Sequence, residues 1–438
     1  MRNLRCLLIL MSVPYAQAEA SCLEGLVDLK AAQKSFAQDG FAVLRGFADD
    51  DEVKRMRSSM ESMVEEWWQN EQREPEIDSA VFTTGSNQTN AQAKSRYFFE
   101  SADRIHFFRE AGSPASSTDG MDAHASHRPP LNKVGHGLHL DPASPFGAYS
   151  RSARVAAVAR HIARLKAPVL VSDVLSWTRP CSPAARSRYL TRPLLDSRDG
   201  QPQSMYIFKE AQHGGAVTSH QDGTFLYTRP RQTVVGLWLA LDDAHTGNGC
   251  LWARRGSHHE PLRRRFVRTV DEQGDTVMTF VNTSDKQSES FLHDILRTGS
   301  PPPRDGRQWW RRLVNWIPRR LMWSSNPWPA SRRALERSRD AREWEGVWPA
   351  DNTAAGTEAG IRASEDLAAR GFVPIEVRAG DLVVFPGTLD HLSLPNGSPH
   401  ARHTFQLHMV EGPGAGVEWA SENWLQLPTN ATEGFLRI

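Results

Sequence analysis

The chain has 438 residues, enough for one large domain with insertions or for two domains. Its 52 Lys and Arg residues balance 51 Asp and Glu, so charge gives no ground for expecting a nucleic-acid or strongly acidic partner. No apolar run approaches the roughly 20 residues of a membrane-spanning helix, and a hydrophobic content of 39% points to some sequence outside any packed core.

Residues 1–20, MRNLRCLLILMSVPYAQAEA, run from a basic start (Arg2, Arg5) through an apolar stretch to Ala16-Gln17-Ala18, which fits an A-x-A cleavage site. That layout predicts a signal peptide over 1–18 and a location in the secretory pathway or endoplasmic reticulum. A buried N-terminal segment in a cytoplasmic protein is the alternative. Cys22, Cys181 and Cys250 would remain after cleavage, an odd number at irregular spacing that shows no disulfide framework. N-x-S/T sequons begin at Asn87, Asn282, Asn396 and Asn430. They can be glycosylated only in a secretory compartment, and chance alone produces several in a chain this long.

The folded part is expected to begin near residue 29. Asp49 to Glu52 suit a helix N-terminus, and Val53, Met56, Met60, Met63, Val64 and Trp67 follow at helical spacing. A second helical stretch, 151–165, carries Val155, Val158, Ile162 and Leu165 on one side. After residue 200 short runs of β-formers take over: SMYIF (204–208), FLYT (225–228), TVVGLWLAL (233–241), VPIEV (373–377), LVVF (382–385) and TFQLHMV (404–410). Helices followed by many short strands argue an α+β protein with a β-sandwich or jelly-roll core. Two stretches interrupt the pattern. Residues 171–200 are rich in Arg, Ser and Pro. Residues 285–362 hold seven of the 14 tryptophans, with many arginines between them, and read either as a lid or docking surface or as an inert insertion.

The chemistry gathers in SHQDGTFLYT (219–228). Read as a strand, this run projects His220 and Asp222 to one face. An imidazole and a carboxylate side by side are either a surface ion pair or two ligands of one metal. Two histidines and one carboxylate form a facial site for Fe(II) with open positions. His391, after LVVF and the turn-like PGT, is the best third ligand; His400, His403 and His408 compete with it. Arg402 lies at the entry to the strand 404–410, where period-2 alternation puts Arg402, Thr404, Gln406 and His408 on one face and Phe405, Leu407 and Met409 on the other. An arginine on such a polar face suits a ligand carboxylate, which its planar fork grips with two bonds. Arg370 and Arg378 are the competing arginines. His136 and His139 in GHGLH either touch substrate or serve packing.

QDGFAVLRGF (38–47), YFFESADRIHFF (97–108), LNKVGHGLH (131–139), SMYIFK (204–209), HQDGTFLYT (220–228), GLWLALDDAHTGNGCLW (236–252), GSHH (256–259) and SENWLQ (421–426) together resemble the phytanoyl-CoA dioxygenase family of Fe(II)- and 2-oxoglutarate-dependent oxygenases. The resemblance implies a double-stranded β-helix, a cupin-like jelly roll, with flanking helices. It implies one domain over 29–428, interrupted by insertions at 171–200 and 285–362. It carries His220, Asp222 and His391 over as iron ligands and Arg402 as the partner of the far carboxylate of 2-oxoglutarate. Ser393 matches a hydroxyl that assists Arg402, Lys133 a lysine that reaches the cosubstrate, and Gln221 and Trp238 residues lining its pocket. Met205 and Tyr206 lie in the strand beneath that pocket. Gly223 stands where relatives have Ala, an exchange expected to matter little. The implied activity is hydroxylation of a C–H bond in a small organic or lipid-like substrate, consuming O2 and 2-oxoglutarate and releasing succinate and CO2, with ascorbate as a reductant and the chain a monomer. A zinc-dependent hydrolase or isomerase on the same jelly roll and a non-catalytic 2-oxoglutarate-binding protein are the alternatives.

Overall fold

The computed structural model describes residues 27–73, 81–82, 97–98, 104–110, 128–169, 203–270, 274–283 and 358–425, together with Leu23, Ser95 and Ser101. In chain order the elements are α1 (Leu29–Asp39), β1 (Ala42–Leu44), α2 (Asp50–Arg73), β2 (Val81–Phe82), β3 (Ile105–Glu110) and β4 (Leu131–His136). Next come α3 (Pro145–Ser150), α4 (Ala153–Ala157), which runs into a π-helical turn at Val158–Ile162, β5 (Pro168–Val169), β6 (Ser204–Lys209), β7 (Val217–His220), β8 (Thr228–Arg229) and β9 (Val235–Ala240). They are followed by β10 (Leu251–Arg254), β11 (Arg264–Val270), β12 (Thr276–Asn282), α5 (Glu358–Ala369), β13 (Phe372–Ile375), β14 (Leu382–Pro386), β15 (His391–Ser393), β16 (Arg402–Glu411) and β17 (Glu418–Trp419).

The helices start where the side chains provide caps. Asp28 accepts from the Ala31 amide at 3.0 Å. At α2 the amide of Glu52 donates to Asp49 at 2.8 Å and the amide of Asp49 donates back to Glu52 at 3.2 Å, a reciprocal box that satisfies two otherwise unpaired donors. Ser144 and Ser152 cap α3 and α4.

Nine strands form the large sheet in the order β1-β14-β9-β16-β6-β4-β3-β2, with β5 also paired to β16. A four-stranded sheet runs β13-β10-β15-β7. The helices cover one face of the large sheet: Met56, Met60 and Val64 of α2, Phe146 and Tyr149 of α3 and Val155 of α4 bury with Leu237, Leu239, Leu382, Val384, Phe405, Leu407 and Met409. The other face meets the small sheet, where Trp238, Val383 and Phe385 bury with Leu251, Ile375 and Leu392. β9 and β14 are apolar on both faces because both are covered, so their sequences read as continuous runs rather than alternating ones. On β16 the expected alternation holds, with Phe405, Leu407 and Met409 toward the helices and Arg402, Gln406 and His408 toward the small sheet.

Three expectations change. FLYT is not a strand; only Thr228 joins one, and Asp222–Thr224 form a 3-10 turn. Asn396 is 2% exposed and its side-chain amide donates to the carbonyls of Lys209 and His400 at 2.8 Å each, so it offers no nitrogen for glycosylation. Residues 358–362, assigned to the second interruption, open α5. Residues 1–18, read as a leader, together with Cys22, Cys181, Asn87, Asn430, the stretch 171–200 and the rest of 285–362, lie outside the described residues. Among the described residues no helix is long and apolar enough to cross a membrane.

Phe405 is fully buried, with its ring centroid 5.2 Å from Phe146 and 5.9 Å from Tyr149. Phe405→Ala should lower stability by about 3–5 kcal/mol, read by equilibrium denaturation. A loss below about 1 kcal/mol would show that this layer does not hold the sheet to the helices.

Candidate metal centre and the adjoining cavity

His220 ends β7 and His391 begins β15, and the two are register partners in the small sheet. Their ring centroids lie 4.2 Å apart. Nδ1 of His220 is 2.8 Å from the Thr218 carbonyl and Nδ1 of His391 is 3.0 Å from the Leu389 carbonyl. A carbonyl only accepts, so both Nδ1 atoms carry the proton and both Nε2 lone pairs are free for a metal. Asp222 reaches the same point by a different route. The chain turns at Gln221, and the following 3-10 turn brings the carboxylate back to 3.5 Å from His220 Nε2 and 3.6 Å from His391 Nε2. One ligand atom from each of the three residues lies within 4.8 Å of the others.

The protonation states suit cation binding. Burial alone would raise the Asp222 carboxyl, but the imidazoles around it, His408 foremost, outweigh burial and hold the group well below the usual carboxylate range. Burial and the neighbouring His220 lower His391 to about 4, so its imidazole is neutral at pH 7. Two imidazoles that turn Nε2 toward an ionised carboxylate form with it a donor set that would suit divalent iron.

Several residues that the sequence reading gave no positioning role pack around this cluster. His408 Nε2 lies 3.0 Å from the second Asp222 oxygen, which makes it a partner of the carboxylate in the candidate cluster of three. Gly236, opposite His408 in the sheet, leaves the space Asp222 occupies: a Cβ there would meet the Phe385 ring at 2.8 Å and Asp222 Oδ2 at 3.1 Å. Ser219 and Asp390, each just before a histidine, join by a 2.5 Å hydrogen bond, and Arg263 and Arg254 hold Asp390 at 2.9 and 3.0 Å. This buried network locks the two histidine strands together from behind.

A cavity of about 150 Å3 extends from the cluster between the sheets. Trp238, Gln406 and Met205 form a register row across β9, β16 and β6 and floor it. Arg402 lies further along β16, 2% exposed. One terminal nitrogen donates to the Gly249 carbonyl at 2.7 Å, its Cζ sits 5.3 Å from the Trp238 ring centroid, and its Nε has no hydrogen-bond partner among the described residues. No described ion pair neutralises it, and burial lowers it to about 10. A buried guanidinium with no carboxylate of its own fits a ligand carboxylate. Ser393 and Lys133 also line the cavity. The Lys133 ammonium lies 3.7 Å from the Phe82 ring centroid and 3.2 Å from His136 Nε2, and burial lowers it to about 7. His139 is occupied by Ser204 at 2.7 Å, a packing role. Phe98, Phe225, Leu226, Phe266 and Trp424 give the cavity an apolar wall.

Two expected pocket residues face elsewhere. Tyr206 neighbours Met205 on β6 and so points to the helical side, where its hydroxyl meets His403 at 3.0 Å. Gln221 spans loops: its amide donates to the Thr388 carbonyl at 2.9 Å and its oxygen accepts from the Arg263 amide at 3.0 Å. Gly223 is also tighter than expected, since a Cβ there would lie 2.4 Å from Gln232 Nε2.

The phytanoyl-CoA dioxygenase family model matches residues 36–291 and 325–404, and the chain belongs to that family of dioxygenases. Its similarity is to the phytanoyl-CoA dioxygenase domain-containing protein 1 type: the mouse protein of that name is 30% identical over 399 residues, covering 90% of this chain and 93% of the relative. Phytanoyl-CoA dioxygenase 1 of Oryza sativa subsp. japonica is 31% identical, covering 89% of this chain and 91% of its own. Among solved structures, the epimerase SnoN in complex with Fe3+, alpha ketoglutarate and nogalamycin RO aligns at a TM-score of 0.41 and 12% identity, covering 93% of this chain and 94% of its own.

His391→Ala should abolish tight Fe(II) binding, whereas His408→Ala should retain the metal with affinity reduced roughly 10- to 100-fold, because His408 orients a ligand without being one. Anaerobic metal titration separates the cases; the reverse ranking would make His408 the third ligand. Gly236→Ala should likewise weaken metal binding by displacing Asp222, with the far-ultraviolet spectrum preserved. Unchanged affinity would show that the carboxylate has room to spare.

Proposed function

We propose that the protein is an Fe(II)- and 2-oxoglutarate-dependent dioxygenase with a double-stranded β-helix core, hydroxylating a C–H bond of a small organic or lipid-like substrate. The observation that carries this reading is one cavity with two unlike ends. At one end two imidazoles and an ionised carboxylate converge. At the other a buried guanidinium has no described acidic partner. A hydrolytic zinc site has no use for the second end.

When bound, iron and 2-oxoglutarate supply the oxidising chemistry: O2 and the 2-oxo acid are consumed, succinate and CO2 leave, and one oxygen atom enters the substrate. The chain's own residues do the rest. His220, Asp222 and His391 hold the metal by three positions and leave the others open. Arg402 takes the far carboxylate and, with Ser393 and Lys133, sets the direction in which the 2-oxo acid lies. Trp238, Met205 and Gln406 close the floor, and keeping water out strengthens every charge interaction above it. The wall of Phe98, Phe225, Phe266 and Trp424 suits the apolar body of a substrate; the acyl-CoA of the relatives' names is one member of that class. The leader-like residues 1–18 support a secretory location.

Arg402→Lys should weaken 2-oxoglutarate binding roughly 10- to 100-fold while sparing metal affinity, since a two-bond fork becomes a point charge and a charged hydrogen bond contributes about 1.5–3 kcal/mol. Calorimetric titration of the metal-loaded protein under anaerobic conditions reads both constants. Unchanged cosubstrate affinity would remove Arg402 from the site.

A further inference from the structure

We propose that Lys209 shares with Arg402 the seat of the far carboxylate, so that the end of the cavity remote from the metal is a two-cation site. This rests on the reading of the cavity as a 2-oxoglutarate site. Lys209 is the last residue of β6 and the register partner of Arg402 on β16. Residues directly opposite in an antiparallel pair share a face, with Cβ atoms about 5 Å apart. Both side chains line the cavity and both are 2% exposed.

The surroundings bring the two cations together. Gly249, at φ +82°, gives its carbonyl to Arg402, and the Lys209 stem lies where its side chain would be: a Cβ at 249 would sit 2.8 Å from Lys209 Cδ. Asn396 holds the Lys209 backbone carbonyl at 2.8 Å. The ammonium donates to the Gly215 carbonyl. Glu110 is the acidic group whose charge favours the ammonium, and its carboxylate accepts from the Asn132 amide at 2.9 Å. Burial first, and then the charge of Arg402, lowers Lys209 to about 7.

Like charges placed opposite one another in a sheet destabilise it, and a buried ammonium needs more than one acceptor. A carboxylate presents about four lone-pair sites and accepts from a guanidinium and an ammonium together. It would turn the mutual repulsion of the two cations into joint attraction for a diacid. It would also make the site prefer a 2-oxo diacid over a 2-oxo acid lacking the second carboxylate. The alternative role for Lys209 is to anchor the loop at Gly215.

The test uses the Mn(II)-loaded full chain without oxygen and compares equilibrium binding of 2-oxoglutarate with that of 2-oxobutyrate, which keeps the 2-oxo acid end and lacks the far carboxylate. Lys209→Met preserves the apolar stem; Lys209→Gln also keeps a donor for Gly215. Both should weaken 2-oxoglutarate roughly tenfold or more and leave 2-oxobutyrate unchanged. The ligand-free melting temperature should hold or rise, since one of two adjacent like charges is gone. Wild-type affinity for 2-oxoglutarate in Lys209→Gln, or equal loss of both acids with a lowered melting temperature, would overturn the proposal and leave the cosubstrate site standing. Failure of the wild-type protein to bind 2-oxoglutarate, or indifference of Arg402→Lys, would overturn the site reading and the proposal with it.

Discussion

The pairing of His220 with His391 across β7 and β15 is the constraint on which the site depends. A register slip of one residue would turn both rings to the opposite face of the sheet. The fold guards against this with the buried Ser219–Asp390 bond and the two arginines that close around Asp390. Removing one member of such a network leaves uncompensated charge in the interior, so the ligand geometry is tied to the stability of the small sheet itself. Asp222 then needs only a short turn to complete the cluster.

Charge arrangement follows the same economy. The buried acids Asp222 and Asp390 each have described partners, whereas Arg402 and Lys133 meet carbonyl, hydroxyl, aromatic, sulfur or imidazole groups and no carboxylate among the described residues. Burial without ion pairing lowers both below their ordinary values. A fold tolerates unpaired buried cations where a ligand supplies the anion. The cavity is thus electrostatically incomplete on the side of the large sheet, and prepared for a cation on the side of the small one.

Much of this was legible in the chain. β16 announced itself because its two faces are buried in chemically different surroundings, so a period-2 pattern survived in RHTFQLHMV. The choice of Arg402 followed from it, that of His391 from its place after LVVF and the turn-like PGT, and both from the family resemblance. Two of the misplaced residues share one physical cause. Consecutive residues on extended chain cannot face the same way, which excludes Tyr206 beside Met205 and turns Gln221 away between His220 and Asp222. The His–x–Asp spacing was read as strand alternation, yet the strand ends at His220, and a 3-10 turn, the contact with His408 and the space at Gly236 set where Asp222 points. Lys209 was hidden because its significance lies in a register pairing 193 residues away in sequence (402 − 209), which no local pattern reveals. The leader-like residues 1–18 and most of the Trp- and Arg-rich stretch fall outside the described residues.

The central claim, that one cavity joins a metal centre to a 2-oxoglutarate seat and uses both for oxygen chemistry, is met most directly by measuring O2 uptake and succinate together. Purified protein with Fe(II) and 2-oxoglutarate should consume the two substrates in a one-to-one ratio, slowly even without the primary substrate. The reaction should stop when O2, iron or His391 is removed. Bound metal and cosubstrate with no succinate formed, or turnover of a substrate that continues without O2, would contradict the account.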